Sequence, residues 1–200
     1  MGQGVAGASA QLHLRTPVRI FSFALVTTRV DSFLPSGAVT FLFSDIERDP
    51  AGGLQSAENV AAMMEAAQVP NGIAHAHESA GWANLAIGEI DAAKAAYATA
   101  IDAFESIPND HCLACHCLEG CVHIALQSSA VHDAAELWGA VEKWRENISV
   151  VPMPVEQSLG NTEELLRASM EPEALEAARS VGREFDRDQT LATARAIITN

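Results

Sequence analysis

"GWANLAIGEIDAAKAAYATAIDAF", residues 81–104, reads as two helices folded back on each other. Gly88-Glu-Ile-Asp91 is a tight turn. The stretches on either side, Asn71 to Ile87 and Ala92 to Ser106, carry helical patterning. Small residues such as Gly81 and Ala93 sit where two helices cross closely, and Tyr97, four positions after Ala93, fills the next gap. The same grammar recurs downstream as Leu118-Glu-Gly120, then Ser129-Ala-Val-His-Asp-Ala134, then Trp138. From Ala93 to Ala134 the step is 41 residues.

This pattern resembles that of tetratricopeptide repeats, whose unit is shorter, about 34 residues. A helical hairpin cannot bury its apolar face alone, so stacked neighbours must supply the core. The expected fold is mainly α, a tetratricopeptide-like array of antiparallel helix pairs with a short N-terminal strand remnant. The helical-repeat domain is expected over 56–200. Its first helix starts at a capping Ser56 and stops before Pro70. Further helices are expected over His111 to Gln127 and Val131 to Asn147. Two or three more fill 155–200, with breaks near Glu171-Pro172 and Asp186 to Asp188. Abundant alanine and an aromatic content of 6% suit close-packed helices better than a β-sandwich.

Ahead of these helices, residues 1–33 show no clear period and are expected to be poorly structured. Residues 34–55 are expected to form a strand remnant and linker, with Ala38 to Phe43 a short buried strand. The segment Leu34-Pro-Ser-Gly-Ala-Val-Thr-Phe-Leu-Phe-Ser-Asp-Ile-Glu47 resembles the opening strand of bacterial class III adenylate/guanylate cyclase domains. Residues 73–200 resemble the C-terminal helical repeats of large actinobacterial regulators that join a cyclase domain, a P-loop ATPase and such repeats. Leu118-Glu-Gly120, Ala134-Ala-Glu-Leu-Trp-Gly-Ala-Val-Glu142 and Gly182-Arg183 carry that second similarity. The resemblance implies that Asp45 stands where a cyclase binds a catalytic metal. Arg48-Asp-Pro then replaces the family's Gly-Ser-Thr, and the helical pattern begins about ten residues later. A cyclase's remaining strands and second metal ligand have no room, and no Gly-x-x-x-x-Gly-Lys-Ser/Thr occurs. The chain reads as two ends of a larger regulator without its middle, and no catalytic residue is assigned.

"HCLACHCLEGCVH", residues 111–123, holds all four cysteines of the chain. Cys112-Leu-Ala-Cys115-His116 has the spacing that attaches haem in c-type cytochromes. On one helix the pairs Cys112/Cys115 and Cys117/Cys121 point to opposite sides, so four thiolates cannot converge on a tetrahedral zinc. His116 and His123 share a face with Cys112 but lie two turns apart. The favoured reading is packing, because free cysteine behaves as a small buried apolar residue. No metal or cofactor is expected; the weak candidates for a metal ligand are Asp45, Cys112 and His116. His75 and His77 point apart on their helix. Trp82, Trp138 and Trp144 read as wedges between helices, and the acidic residues over 156–188 as a solvated face.

The formal net charge of −14 resides entirely beyond residue 50. A surface of that sign repels phosphate backbones, so the helical part is not expected to bind nucleic acid. No apolar run is long enough to cross a membrane. The apolar core Ile20 to Val26 is short for a signal peptide and lacks an Ala-x-Ala-like cleavage site, so a cytoplasmic location with reduced thiols is expected. The expected function is a non-catalytic interaction module with a protein or peptide partner. The alternatives are a nucleotide-cyclase-like part that needs a second chain, and a metal or haem carrier using Cys112–His116.

Overall fold

Asp49-Pro50 opens the first helix. The Asp49 carboxylate accepts the Gly52 N–H at 2.9 Å, and Pro50 sits at the first helical position, where its missing N–H costs nothing. A computed structural model describes the chain over residues 49–107, 111–146 and 159–200, all within one compact unit spanning Phe43–Asn200. Segment 1–33, the expected strand at 38–43 and Asp45 lie outside the described residues, and so does the side chain of Cys112.

The described residues form eight helices and no strand. They are α1 (Pro50–Ala66), α2 (Pro70–Ile87), α3 (Ile90–Glu105), α4 (His111–Gln127), α5 (Val131–Glu146), α6 (Thr162–Ser169), α7 (Pro172–Arg183) and α8 (Arg187–Thr199). One boundary corrects the sequence reading. The helical region starts at Pro50, inside the stretch assigned to a linker, and Ser56 caps nothing. Its hydroxyl donates back to the Gly52 carbonyl at 2.9 Å. The Asp49-Pro50 start outweighs the helix-weakening Gly52-Gly53 pair, and Gly53 is buried.

Three helices end alike. Gln68, Gly88 and Ser129 adopt left-handed backbone, with φ of 53°, 85° and 62°. The next residue's N–H then reaches back five positions: Val69 to Met64 at 3.0 Å, Glu89 to Asn84 at 2.9 Å, Ala130 to Ala125 at 2.9 Å. Such bonds satisfy carbonyls that the helix end would otherwise leave open. α6 starts at an Asn161 cap, and α8 at an Asp186 capping box completed by Gln189.

α1 packs along α2, α2 along α3, α4 along α5, and α5 along α7. α4 also touches α2 and α3, which joins the two hairpins. The core is continuous through Trp82, Tyr97, Ile101, Phe104, Leu118, Ile124, Leu137 and Trp138. A smaller alanine contact (Ala57, Ala80, Ala96) seats α1.

Glycines mark the two tightest crossings. The Tyr97 ring lies between Gly81 of α2 and Gly120 of α4; a methyl group at Gly81 would sit 2.6 Å from the ring, and one at Gly120 would overlap the phenol oxygen. At the second crossing a methyl group on Gly139 of α5 would overlap the Arg179 carbonyl, and one on Gly182 of α7 the Glu136 carbonyl. There the backbones themselves touch.

Candidate functional site

α4 carries the cysteine-rich motif, and its described thiols are buried while His116 meets a carboxylate and His123 a hydroxyl on other elements. Cys115, Cys117 and Cys121 are buried without measurable exposure. The Cys117 thiol lies 4.0 Å from the Tyr97 carbonyl oxygen, with Cys121 within hydrogen-bonding reach. Burial, reinforced by Cys121, pushes the Cys117 thiol well above its ordinary range and keeps it protonated. Burial likewise raises the Tyr97 phenol, and its hydroxyl makes no hydrogen bond.

His116 faces α2 instead. Its Nδ1 is 3.5 Å from Oε1 of Glu78, and the Nδ1 of His75, one turn before Glu78, is 3.4 Å from Oε2. Glu78 is almost fully buried. Burial alone raises its carboxyl, but hydrogen bonds from His116 and His75 outweigh that and hold it below its ordinary value. His77 turns toward α1, where its Nε2 meets Oε1 of Glu65 at 2.9 Å. Carboxylate–imidazole pairs thus tie α1 to α2 and α2 to α4. His75 and His77 do point apart, one toward Glu78 and the other toward Glu65.

A second buried network joins α4, α5 and α6. Glu119 has no exposed surface. It receives Arg145 Nη2 at 2.5 Å and the Thr162 hydroxyl at 3.0 Å. Thr162 has one proton, which it gives to Glu119, so it accepts from His123 Nε2 at 3.1 Å. The His123 tautomer is thereby set, with the proton on Nε2. Burial lowers the His123 imidazole, and the Glu119 charge opposes this only in part. Trp82 meets the His123 ring edge to face at 5.6 Å, and the Arg145 guanidinium lies 5.2 Å over Trp138. Sequence reasoning passed over Glu119. Its signal was a carboxylate whose neighbours one turn away, Cys115 and His123, stand on a packed face.

Between α5 and α7, Arg179 binds Glu142 at 2.5 Å and Glu163 at 3.1 Å. Arg167 reaches Glu163 at 2.7 Å, and Arg183 pairs with Glu146. Trp138 Nε1–H also donates to Glu163, at 3.2 Å. Burial alone raises the Glu163 carboxyl, but Arg167, Trp138 and Arg179 hold it below its ordinary value. The acidic residues of 156–188 are therefore not all a solvated face: Glu163 is drawn into an interhelix contact, while Glu164, Glu171, Glu173 and Glu176 stay exposed.

Among the described residues, no group of three or more His, Cys, Asp or Glu side chains is disposed to hold a metal ion. A surface cavity of about 290 Å³ opens at the elbow of α6 and α7, beside Arg167, Met170, Leu175 and Arg179. It lies apart from the histidine–carboxylate pairs. No described helix is long and apolar enough to cross a membrane. No protein-family model, curated protein or solved structure matches the chain.

Proposed function

We propose that this chain is a non-catalytic interaction module of the cytoplasm, a tetratricopeptide-like helical array left from a larger signalling regulator. Its partner is a basic protein or peptide segment. One observation carries the repeat reading: the α2–α3 and α4–α5 hairpins correspond in their turn and wedge positions at the 41-residue step. Gly88 and Ser129 are the left-handed residues, and the closing bonds Glu89 to Asn84 and Ala130 to Ala125 have the same length, 2.9 Å. Ala93 and Ala134 are the buried small residues, and Tyr97 and Trp138 the buried aromatics. Two units with the same turn and wedge are what stacking requires.

The ionisable groups of the interior support the non-catalytic part. Glu78, Glu119 and Glu163 each serve a contact between helices. The net charge of −14 favours a basic partner. Regulator ancestry rests on the resemblance of Leu34–Glu47 and of 73–200 alone.

Calorimetric titration of the full chain with a lysine- and arginine-rich amphipathic peptide, and with its acidic counterpart, tests this reading. Saturable binding of the basic peptide alone, weakening with salt, is the expected result. Absence of binding by either peptide would count against it. Pyrophosphate release from ATP or GTP with Mn²⁺ would replace it with the cyclase reading, and a Soret band or stoichiometric metal with the carrier reading.

A further inference from the structure

The last helix does not pair with the one before it. α8 follows α7 after three residues, Glu184–Asp186, yet packs across α3, α4 and α5. Leu191, Ala194, Ile197 and Ile198 form its buried face. Its arginines reach chain segments more than eighty residues away. Arg187 donates to the Phe104 carbonyl at 3.0 Å, and Arg195 to Asp102 at 2.6 Å and Glu105 at 3.2 Å.

These acceptors make a cation site of definite chemistry. α3 ends at Glu105, so its last carbonyls lack helical partners and carry the negative end of the helix dipole. Asp102 and Glu105 add two carboxylates at the same end. Beside it, the surface shared by α3, α4 and α5 takes apolar side chains at helical spacing, Leu191, Ala194 and Ile198 being four, seven and eleven positions after Arg187.

We infer that this face of α3, α4 and α5 is a receptor for an amphipathic partner helix with two arginines eight residues apart, and that α8 occupies it in cis. The inference rests on the interaction-module reading and names its surface. Helix-in-groove recognition uses this pattern of apolar anchors flanked by charge. The hold on α8 suits exchange. Its ion pairs are open to water, with the Arg195, Asp102 and Glu105 side chains 35%, 67% and 46% exposed, so salt and competing cations screen them. The neighbouring α5–α7 contact also has an exposed ion pair, Arg183–Glu146, but its backbones approach too closely at Gly139 and Gly182 to admit even a methyl group.

The test uses the full chain and a fluorescent peptide with the sequence of residues 185–200. Arg195→Glu in the chain removes the attraction of Asp102 and Glu105 for α8 and frees the face. That variant is expected to capture the peptide about tenfold more tightly than the wild type, because the occupied fraction of the receptor falls. A peptide with both arginines changed to glutamate is expected not to bind. Hydrogen exchange of the wild-type chain should show the α8 amides opening as a unit, ahead of α5 and α7. The proposal is overturned if α8 exchanges together with α5 and α7, or if the folded Arg195→Glu chain gains no peptide affinity. Dimerisation of the variant would also overturn it, by assigning the face to a second copy. Should basic peptides bind the wild-type chain while Arg195→Glu changes nothing, the module reading stands and this surface is the wrong one.

Discussion

At the junction of α2, α3 and α4 the Tyr97 ring lies between Gly81 and Gly120, whereas at the junction of α5 and α7 the backbones touch through Gly139 and Gly182. The first contact is closed by a side chain that can be trimmed. The second is closed by carbonyl groups that cannot, and charged pairs line its flank. Close packing therefore has two grades in this molecule. One is adjustable by substitution, and the other is set by the path of the chain.

The largest effect should come from Gly182→Ala. Its new methyl group meets the Glu136 carbonyl, so α5 and α7 must part and strain the Arg179–Glu142 pair with them. A loss of about 3 kcal/mol or more is expected in denaturant unfolding. Gly120→Ala should cost less, about 2 kcal/mol, because the obstacle is the end of the Tyr97 side chain, its ring Cζ and hydroxyl, and not backbone. Adding Tyr97→Phe removes the hydroxyl oxygen, which makes no hydrogen bond, but leaves the ring carbon beside it, and should recover a minor part of the loss. No second-site trimming should rescue Gly182→Ala. If both glycine variants lose the same stability and neither is rescued, the distinction between the two junctions is wrong.

Glu119→Ala should cost about as much as Gly120→Ala, about 2 kcal/mol, since it leaves Arg145 and Thr162 without their shared acceptor in the interior. The same network gives the molecule a pH response. The folded state holds His123 below its ordinary value of 6.5, so near and below that value the unfolded chain binds the extra proton. Stability should therefore fall as pH drops through 6.5 and level off below the native value. Glu78, held below its ordinary 4.5, adds stability that is full above 4.5 and is lost as pH falls through its lower native value. His123→Gln keeps a donor for Thr162 and should abolish the first decline while preserving the second, as read from unfolding midpoints between pH 8 and 3. An unchanged profile would show that the α4–α6 network does not carry the response.

Much of the helical architecture was legible in local chemistry. Pro70, Gly88 and the Ser128-Ser129 pair stand where helices stop, because each acts on the backbone within a turn of itself. The 41-residue correspondence was visible for the same reason, since turn and wedge recur together. What escaped were features made by distant segments. Nothing near Glu119 announces Arg145 or Thr162, and nothing near Gly139 announces that Gly182 will lie against it. The return of α8 to α3 depends on Arg195 meeting Asp102, 93 residues earlier. The start of α1 was misjudged because Gly52-Gly53 was weighed as a breaker without the Asp49-Pro50 cap beside it.

The smallest effect bears on the repeat itself. Ser129 and Gly88 occupy equivalent left-handed positions, φ 62° and 85°, but only glycine adopts that region without a Cβ clash. Ser129→Gly removes a local strain of about 1 kcal/mol and adds freedom to the unfolded chain, so a net gain of about 0.5 kcal/mol is expected. Gly88→Ser should lose a similar amount, and exchanging both residues at once should leave stability nearly unchanged, because the sites lie 41 residues apart and do not touch. Thermal unfolding of the two single variants and the double variant reads this directly. Equal and opposite shifts would mean that the α2–α3 and α4–α5 turns are the same structural unit written with different residues. A loss for Ser129→Gly would mean that the Ser128-Ser129 turn is held by its serine side chains and only imitates the Gly88 turn.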